Sequence, residues 1–291
     1  MTHKAPKRAP GDRSHLERLV QALSVQEGIA ADRLRRWVST MILLGALERL
    51  GDNQHRFVLK GGVAIELRFK LRARATKDID IIVIPDGEAD VVDALEDALA
   101  DPYLDFAFRL VDVHEIAHTP ARRMDVKMTY KHKPWATLRL EASLPEADAA
   151  EPEQIAAFSL TELGLDGPDY VACQSLRYQI ATKLHAVTER FEDRLNDRYR
   201  DLIDLLLLVE LEPDLPQVAA ACHEIFAARA TRPWPPQLSV EPSWPEQYAA
   251  LAAEQDFAIT DVHEAVERVR ALIDALASAS RPTDDAQDPA R

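Results

Sequence analysis

The amino-acid sequence predicts an α+β protein with two lobes, a small mixed sheet with flanking helices and then a C-terminal helical lobe. Short β-prone or alternating runs lie in the first half of the 291 residues, and beyond them apolar residues recur mainly at helical spacing. The segment PEADAAEPEQ, acidic and with two prolines, separates the two patterns and is the predicted domain boundary. We therefore expect tails at 1–13 and 281–291, an α/β lobe at 14–150 and a helical lobe at 151–280.

The first lobe begins with two predicted helices, SHLERLVQALSVQEG, capped by Ser14, and AADRLRRWVSTMILLGALERL. RFVLK is β-prone and stops at Gly61-Gly62, which predicts a short strand. GVAIELRFKL is then a predicted short helix, and DIDIIVI a buried strand that ends at Pro85. A helix beginning at Asp86 follows, and after it the strands LDFAFRLVDV, RMDVKMTY and WATLRLEASL. In the second lobe the spacing predicts helices at roughly 174–192, 200–211, 216–230, 244–256 and 261–279.

Composition narrows the classes of function. A net charge of −14 argues against a general nucleic-acid coat protein. Basic residues nevertheless concentrate at 56–80 and 122–139, which indicates a basic face; scattered, solvated Lys and Arg are the alternative. No apolar run approaches the roughly 20 residues that span a bilayer. Cys173 and Cys222 suggest neither a disulfide framework nor a zinc site, so we expect a cytoplasmic protein without membrane association.

Two short motifs carry the predicted chemistry. Asp78 and Asp80 start a strand and, being two residues apart, project from one face. Neighbouring carboxylates repel unless a cation lies between them, and Mg²⁺ accepts such ligands while keeping positions for phosphate oxygens. Gly61 and Gly62 precede a helix, where backbone N–H groups can approach an anion closely. Each motif alone has an ordinary alternative, a turn or a set of backbone hydrogen bonds, but together they indicate phosphoryl or nucleotidyl transfer from a nucleoside triphosphate.

The stretch LKGGVAIELRF…RATKDIDIIV resembles the nucleotidyltransferases of the DNA polymerase β superfamily, and more narrowly the AbiEii/AbiGii toxins with their MenT-like branch. The resemblance implies a third catalytic acid on a later strand, which is Glu141 in ATLRLEASLPEA, with Asp125 as its rival. A second similar stretch, QIATKLHAVTERFEDRLNDRYRDLIDLLLL, contains Lys183 and then Asp201 and Asp204, which share one helix face. A salt-bridge set between two helices is the alternative for these three residues.

The resemblance implies a role for each matching position. The implied catalytic residues are Asp78, Asp80, Glu141, Lys183 and Asp204, of which Asp78, Asp80 and Glu141 bind the metal. The implied substrate-binding residues are Lys60, Gly61, Gly62, Arg74, Thr76, Lys77 and Asp201. Thr76 is also a hypothetical regulatory site, because a phosphate attached there would repel the triphosphate.

The function implied by the resemblance is that of a metal-dependent nucleotidyltransferase toxin of a toxin–antitoxin system. Such an enzyme uses Mg²⁺ and an NTP to add NMP to the 3′ end of tRNA, which blocks translation, and a cognate antitoxin is its expected protein partner. Two other classes stay open. One is a nucleotidyltransferase that modifies a small molecule, as antibiotic-modifying relatives do, and the other is a non-catalytic nucleotide- or RNA-binding relative.

Overall fold

The computed structural model describes residues 8–49, 56–85, 90–116, 119, 121–146 and 152–279. These residues form two compact units. The first unit holds the described residues up to Pro145 and those from 152 to Gln174, and the second holds Glu146 and those from Ser175 onward. The predicted α+β class is confirmed, since a mixed sheet with helices is followed in the chain by helices alone.

The first unit contains a sheet and the helices that flank it. Its helices are α1 (Arg13–Glu27), α2 (Ala31–Glu48), α3 (Gly61–Phe69) and α4 (Val91–Leu99). Its strands are β1 (Phe57–Lys60), β2 (Asp78–Val83), β3 (Phe106–Glu115), β4 (Arg122–Tyr130), β5 (Lys133–Ser143), β6 (Pro152–Ala156) and β7 (Tyr170–Gln174).

The strands form one mixed sheet in the order β3-β4-β5-β2-β1-β7-β6. The central strand β2 is parallel to β5 and antiparallel to β1. Its Asp80 is opposite Lys60 on β1 and Glu141 on β5, and Glu141 is in turn opposite Arg123 on β4. Paired residues project from the same face of a sheet, so this register gathers side chains from distant parts of the sequence.

Helices cover one face of the sheet and enclose the core. Ile79, Ile81 and Leu140 are at most 1% exposed and belong to one apolar cluster with residues of α2. The alternate residues Asp78 and Asp80 therefore project from the opposite face, where they are partly exposed. We call this opposite side the polar face of the sheet.

The second unit is built from helices, which are α5 (Leu176–Val187), α6 (Arg200–Val209), α7 (Leu215–Arg229), α8 (Trp244–Glu254) and α9 (Val262–Ala279). α5 packs against α6 and α7, and α9 packs against α6, α7 and α8. Trp244 and Tyr248 are fully buried and anchor α8 in this bundle. The Trp244 indole Nε1 donates to the carbonyl oxygen of Asn196 at 2.6 Å, so its polar atom is satisfied inside the core.

The division between the units lies after Gln174, whereas the sequence analysis placed it after residue 150. The physical reason is that β7 pairs with β1 through Leu59 and Cys173, and β6 pairs with β7. Residues 152–174, predicted to belong to the helical lobe, therefore extend the sheet.

Two helix starts also differ from the prediction. α1 begins one residue before Ser14, and its cap is Asp12, whose carboxylate accepts from the backbone N–H of His15 at 2.8 Å. Asp86, the predicted start of the fourth helix, lies outside the described residues. The described helix α4 is capped by Asp90, which accepts from two backbone N–H groups of the first turn.

Candidate active site

Side chains on the polar face form two rows across the strands. The first row is Lys60, Asp80, Glu141 and Arg123, and the second is Asp78, Arg139 and Asp125. Neighbouring strands lie about 4.8 Å apart, so each residue in a row is next to the following one. The predicted acids of the sheet thus meet at the start of β2, with arginines beside them.

Gly61 lies against the carboxylate of Asp80. A β-carbon built on Gly61 would be 2.1 Å from Oδ2 and 2.9 Å from Cγ of Asp80, distances that no side chain permits. Gly61 also has a φ of +67°, in the left-handed region that favours glycine. Because α3 begins at this residue, the first backbone N–H groups of the helix start beside the acid. The glycine turn and the acid pair therefore occupy the same end of the sheet.

Gly62 packs against Thr76, in the segment that leads to β2. A β-carbon built on Gly62 would be 3.0 Å from Cβ and 3.1 Å from Oγ1 of Thr76. The Thr76 hydroxyl donates to the carbonyl oxygen of Asp78 at 3.4 Å, and the Thr76 carbonyl accepts from Nη1 of Arg36 at 3.2 Å. Thr76 thus lines the glycine turn and lies before β2, which begins at Asp78.

Glu141 is bound by Arg123. Nε and Nη2 of Arg123 donate to Oε1 of Glu141 at 2.8 and 2.5 Å. Hydrogen bonding to Glu141 raises the pKa of Arg123, and the negative charges of Asp78 and Asp80 add to that effect. Three carboxylates therefore act on one guanidinium group, as expected from the strand register that places them at one edge of the sheet.

Arg139 lies between Asp78 and Asp125. Its Nη1 is 3.7 Å from Oδ1 of Asp78, and its Nε is 4.0 Å from Oδ1 of Asp125. Asp125 is two strands away from β2, whereas Glu141 is on the adjacent strand and opposite Asp80. The register therefore favours Glu141 over Asp125 as the third acid.

The donors at the start of β2 fit a Mg²⁺ ion held by two carboxylates. Oδ1 of Asp78 is buried without a hydrogen-bond partner among the described residues, although the side chain as a whole is 42% exposed. A cation would satisfy that oxygen, and Asp80 projects from the same face. Within the described parts of the chain, no three His, Cys, Asp or Glu side chains are grouped closely enough to hold a metal. Mg²⁺ often takes only one or two carboxylates and completes its shell with water and phosphate oxygens, so binding does not require Glu141.

Comparison with known proteins identifies the family. Residues 43–275 match the family described as nucleotidyl transferase AbiEii toxin, type IV toxin–antitoxin system. This chain belongs to the AbiEii toxin family. Among solved structures it is similar to MenT4, a nucleotidyltransferase toxin of Mycobacterium tuberculosis H37Rv, with a TM-score of 0.51 and 17% identity, covering 92% of this chain and 99% of that one. A weaker similarity, to the antibiotic-resistance factor ANT(2'')-Ia, has a TM-score of 0.39 and 14% identity over 67% of this chain and 95% of the other. No curated protein matches the chain.

Membership of the AbiEii family makes this protein a nucleotidyltransferase toxin, and it implies a nucleotide substrate and an antitoxin partner. The similarity to MenT4 extends over nearly the whole of both chains and agrees with an α/β region followed by helices. No helix in the described part of the AbiEii chain is long and apolar enough to cross a membrane.

In the second unit of this AbiEii toxin, Lys183 of α5 is buried between two acids of α6. Its Nζ donates to Oδ1 of Asp201 and to Oδ2 of Asp204, both at 2.7 Å. The three side chains are at most 11% exposed. This is the geometry of the interhelical salt bridge that was the alternative for the motif, and a catalytic part for these residues stays a prediction.

Three residues predicted to bind substrate surround the start of β2. Nζ of Lys60 donates to Oγ of Ser143 at 2.7 Å, across β2. Arg74 is half-buried and Lys77 is exposed in the segment that leads to the strand. The sequence analysis did not single out Ser143; its spacing of two from Glu141 was the available signal, since residues two apart on a strand share a face.

Arg123 and Arg139 were counted in the sequence only as part of a basic segment. The structure places both beside the acids of this AbiEii site. Arg139 is two residues from Glu141, so the same spacing signal applied to it. Arg123 was not accessible to such reasoning, because its position depends on how β4 pairs with β5.

Proposed function

We propose that this protein transfers a nucleoside monophosphate from an NTP to the 3′-hydroxyl of tRNA and thereby arrests translation. The observation that carries the proposal is the contact between Gly61 and Asp80, with Glu141 opposite Asp80 in the register. A glycine turn that opens a helix suits phosphate oxygens, and the neighbouring acid pair suits the metal that accompanies a triphosphate.

The central residues of the site have proposed roles. Asp78 and Asp80 hold Mg²⁺, which when bound offsets the charge that develops on the phosphates. Backbone N–H groups at Gly61 and Gly62 orient the triphosphate. The 3′ oxygen forms a bond to the α-phosphorus, the bond to pyrophosphate breaks, and the proton of the hydroxyl passes to Glu141. Arg123 donates to Oε1 of Glu141, so Oε2 is the oxygen that receives this proton.

The charge of the polar face supports RNA as the acceptor. Arg123, Lys127 and Arg139, from the basic segment 122–139, all project from this face. Cations that contact phosphates are the general requirement for binding RNA, whereas a small uncharged acceptor has no use for them. This supports the toxin function over modification of a small molecule.

Incubation of the protein with total tRNA, Mg²⁺ and each α-labelled NTP in turn tests the proposal. We expect label to enter RNA with the wild type and not with Asp80→Ala. Periodate oxidation of the tRNA beforehand destroys the terminal 3′-hydroxyl and should abolish labelling, which locates the site of attachment. Label with both proteins, or with neither, would overturn the proposal.

A further inference from the structure

We propose that a basic stripe on the polar face, made of Arg139, Lys127 and Arg109, binds the phosphates of an unpaired 3′-terminal strand of the acceptor RNA. This inference rests on the proposed function and deepens it, because it names the part of the RNA that is bound and the residues that bind it.

The stripe crosses three neighbouring strands and leads away from Asp78. Arg139 of β5 is opposite Asp78; Lys127 of β4 is opposite Thr137, two residues before Arg139; and Arg109 of β3 is opposite Lys127. Register partners and residues two apart share a face, so all three cations project from the polar face. Three strand spacings of about 4.8 Å place Arg109 about 14 Å from Asp78 across the sheet.

Arg109 and Lys127 are available to bind an anion. Both are exposed, and neither makes an ion pair with a residue in the described part of the chain. Lys131, in the turn that follows β4, differs from them because its Nζ lies 3.5 Å from Oδ2 of Asp105. Like charges directly opposite each other on paired strands destabilise a sheet, and a bound phosphate would remove that repulsion. This juxtaposition, in a chain with a net charge of −14, points to a negatively charged ligand.

The hydroxyl group of Thr137 lies beside the stripe, because Thr137 is exposed and is opposite Lys127 in the register. Cations and hydroxyl groups are side chains that often contact the phosphates of nucleic acids. A phosphate at Lys127 therefore has a hydroxyl donor next to the cation.

The distance from Asp78 to Arg109, at the far end of the stripe, indicates how many nucleotides of a single RNA strand the stripe can bind. Stacked nucleotides rise roughly 3.4 Å each along one strand, so about 14 Å corresponds to about four nucleotides. In a base-paired end, the second strand would occupy the space in front of the same face. We therefore expect the acceptor to carry about three or four unpaired nucleotides before its reacting hydroxyl.

Equilibrium binding of RNA hairpins, measured without NTP, tests the stripe independently of catalysis. The hairpins differ in their 3′ overhang, from a blunt end to about four nucleotides, and affinity should rise with overhang length. For the longest overhang, the double variant Arg109→Gln/Lys127→Gln should raise Kd roughly tenfold. The slope of log K against log salt concentration should fall by about 1.4 in magnitude, the value for two phosphate contacts on a single strand.

Arg8→Gln/Arg18→Gln is the matched control, since both arginines are exposed, make no ion pair with a described residue and together lose the same two charges. We expect it to bind as the wild type does. A double variant with unchanged Kd and salt slope would overturn the stripe, even if the wild type labels tRNA. Loss of binding to a poly-glutamate peptide with unchanged RNA binding would also overturn it and assign the cations to an acidic protein. Failure of the wild type to label any RNA would instead contradict the proposed function, so the two failures are distinguishable.

Discussion

Gly61 touches the carboxylate of Asp80, and the contact leaves no space for a side chain on the glycine. It joins the end of β1 to the start of β2 and brings helix-terminal N–H groups to the acid pair. A site for a metal-bound triphosphate needs both parts within reach of one ligand. The contact is therefore the feature on which the proposed chemistry depends.

Gly61→Ala should abolish nucleotidyl transfer, because the new methyl group would displace the Asp80 carboxylate. Gly28→Ala is the matched control: Gly28 has a φ of +66°, close to the +67° of Gly61, but no atom within 4 Å of a built β-carbon. A left-handed backbone conformation costs a residue with a side chain about 1–2 kcal/mol. Thermal unfolding should therefore show that both variants lose at least that much stability. Full activity in Gly61→Ala, or equal inactivation of both proteins, would contradict the role given to this contact.

Arg123→Gln should lower the Mg²⁺ concentration that gives half-maximal transfer, because it removes a positive charge that acts on Asp78 and Asp80, the acids proposed to hold the metal. The Arg123 side chain is 49% exposed, and ion pairs of exposed residues contribute about 0.2–1 kcal/mol, so the shift should be at most about fivefold. Glu141→Gln should instead reduce transfer at every Mg²⁺ concentration, because it removes the group proposed to accept the proton. A higher Mg²⁺ requirement in Arg123→Gln would show that Arg123 assists binding of the nucleotide and does not oppose binding of the metal.

Lys183→Met should destabilise the second unit, because two buried carboxylates lose their cation. Removing one partner from a buried ion set typically costs about 3–5 kcal/mol, measurable by chemical denaturation. The triple variant Lys183→Met/Asp201→Asn/Asp204→Asn should recover much of this loss and yet stay inactive, as the family resemblance implies. A triple variant that is both stable and active would show that the motif is structural only.

His185 should make stability depend on pH. Burial, and then the positive charges of Arg229 and Arg232, lower its pKa from 6.5 to about 3. The ring is neutral in the folded state, where Nδ1 accepts from Nη1 of Arg229 at 3.2 Å. As pH falls from 6.5 towards 3, the unfolded chain gains a proton that the folded chain does not, so stability present above pH 6.5 is lost on acidification.

The free energy of unfolding should fall by up to about 1.4 kcal/mol for each pH unit of acidification because of His185. His185→Gln should therefore flatten the dependence of the unfolding free energy on pH between these limits. His263→Gln, which changes an exposed ring on α9, should follow the wild type. Parallel curves for the wild type and His185→Gln would contradict the prediction.

The class of the fold and the approach of the glycine turn to Asp78 and Asp80 were predictable, because both depend on local patterns. The alternation of apolar and polar residues identified the strands, and Gly61-Gly62 marked the end of one of them. The pairing of β7 with β1 was not predictable, because it joins distant segments and YVACQ shows no clear alternation. The bond from Arg123 to Glu141 also depends on register: a slip of one residue would send Arg123 to the helix-covered face.

The most direct test of the central claim, that Asp78, Asp80 and the Gly61-Gly62 turn form one site for a metal-bound triphosphate, is calorimetric titration with a non-hydrolysable NTP. The wild type and the control Asp125→Asn should bind the analogue tightly with Mg²⁺ and weakly without it. The double variant Asp78→Asn/Asp80→Asn should lose the Mg²⁺-dependent part of the affinity. Equal Mg²⁺-dependent binding by the wild type and this double variant would contradict the claim.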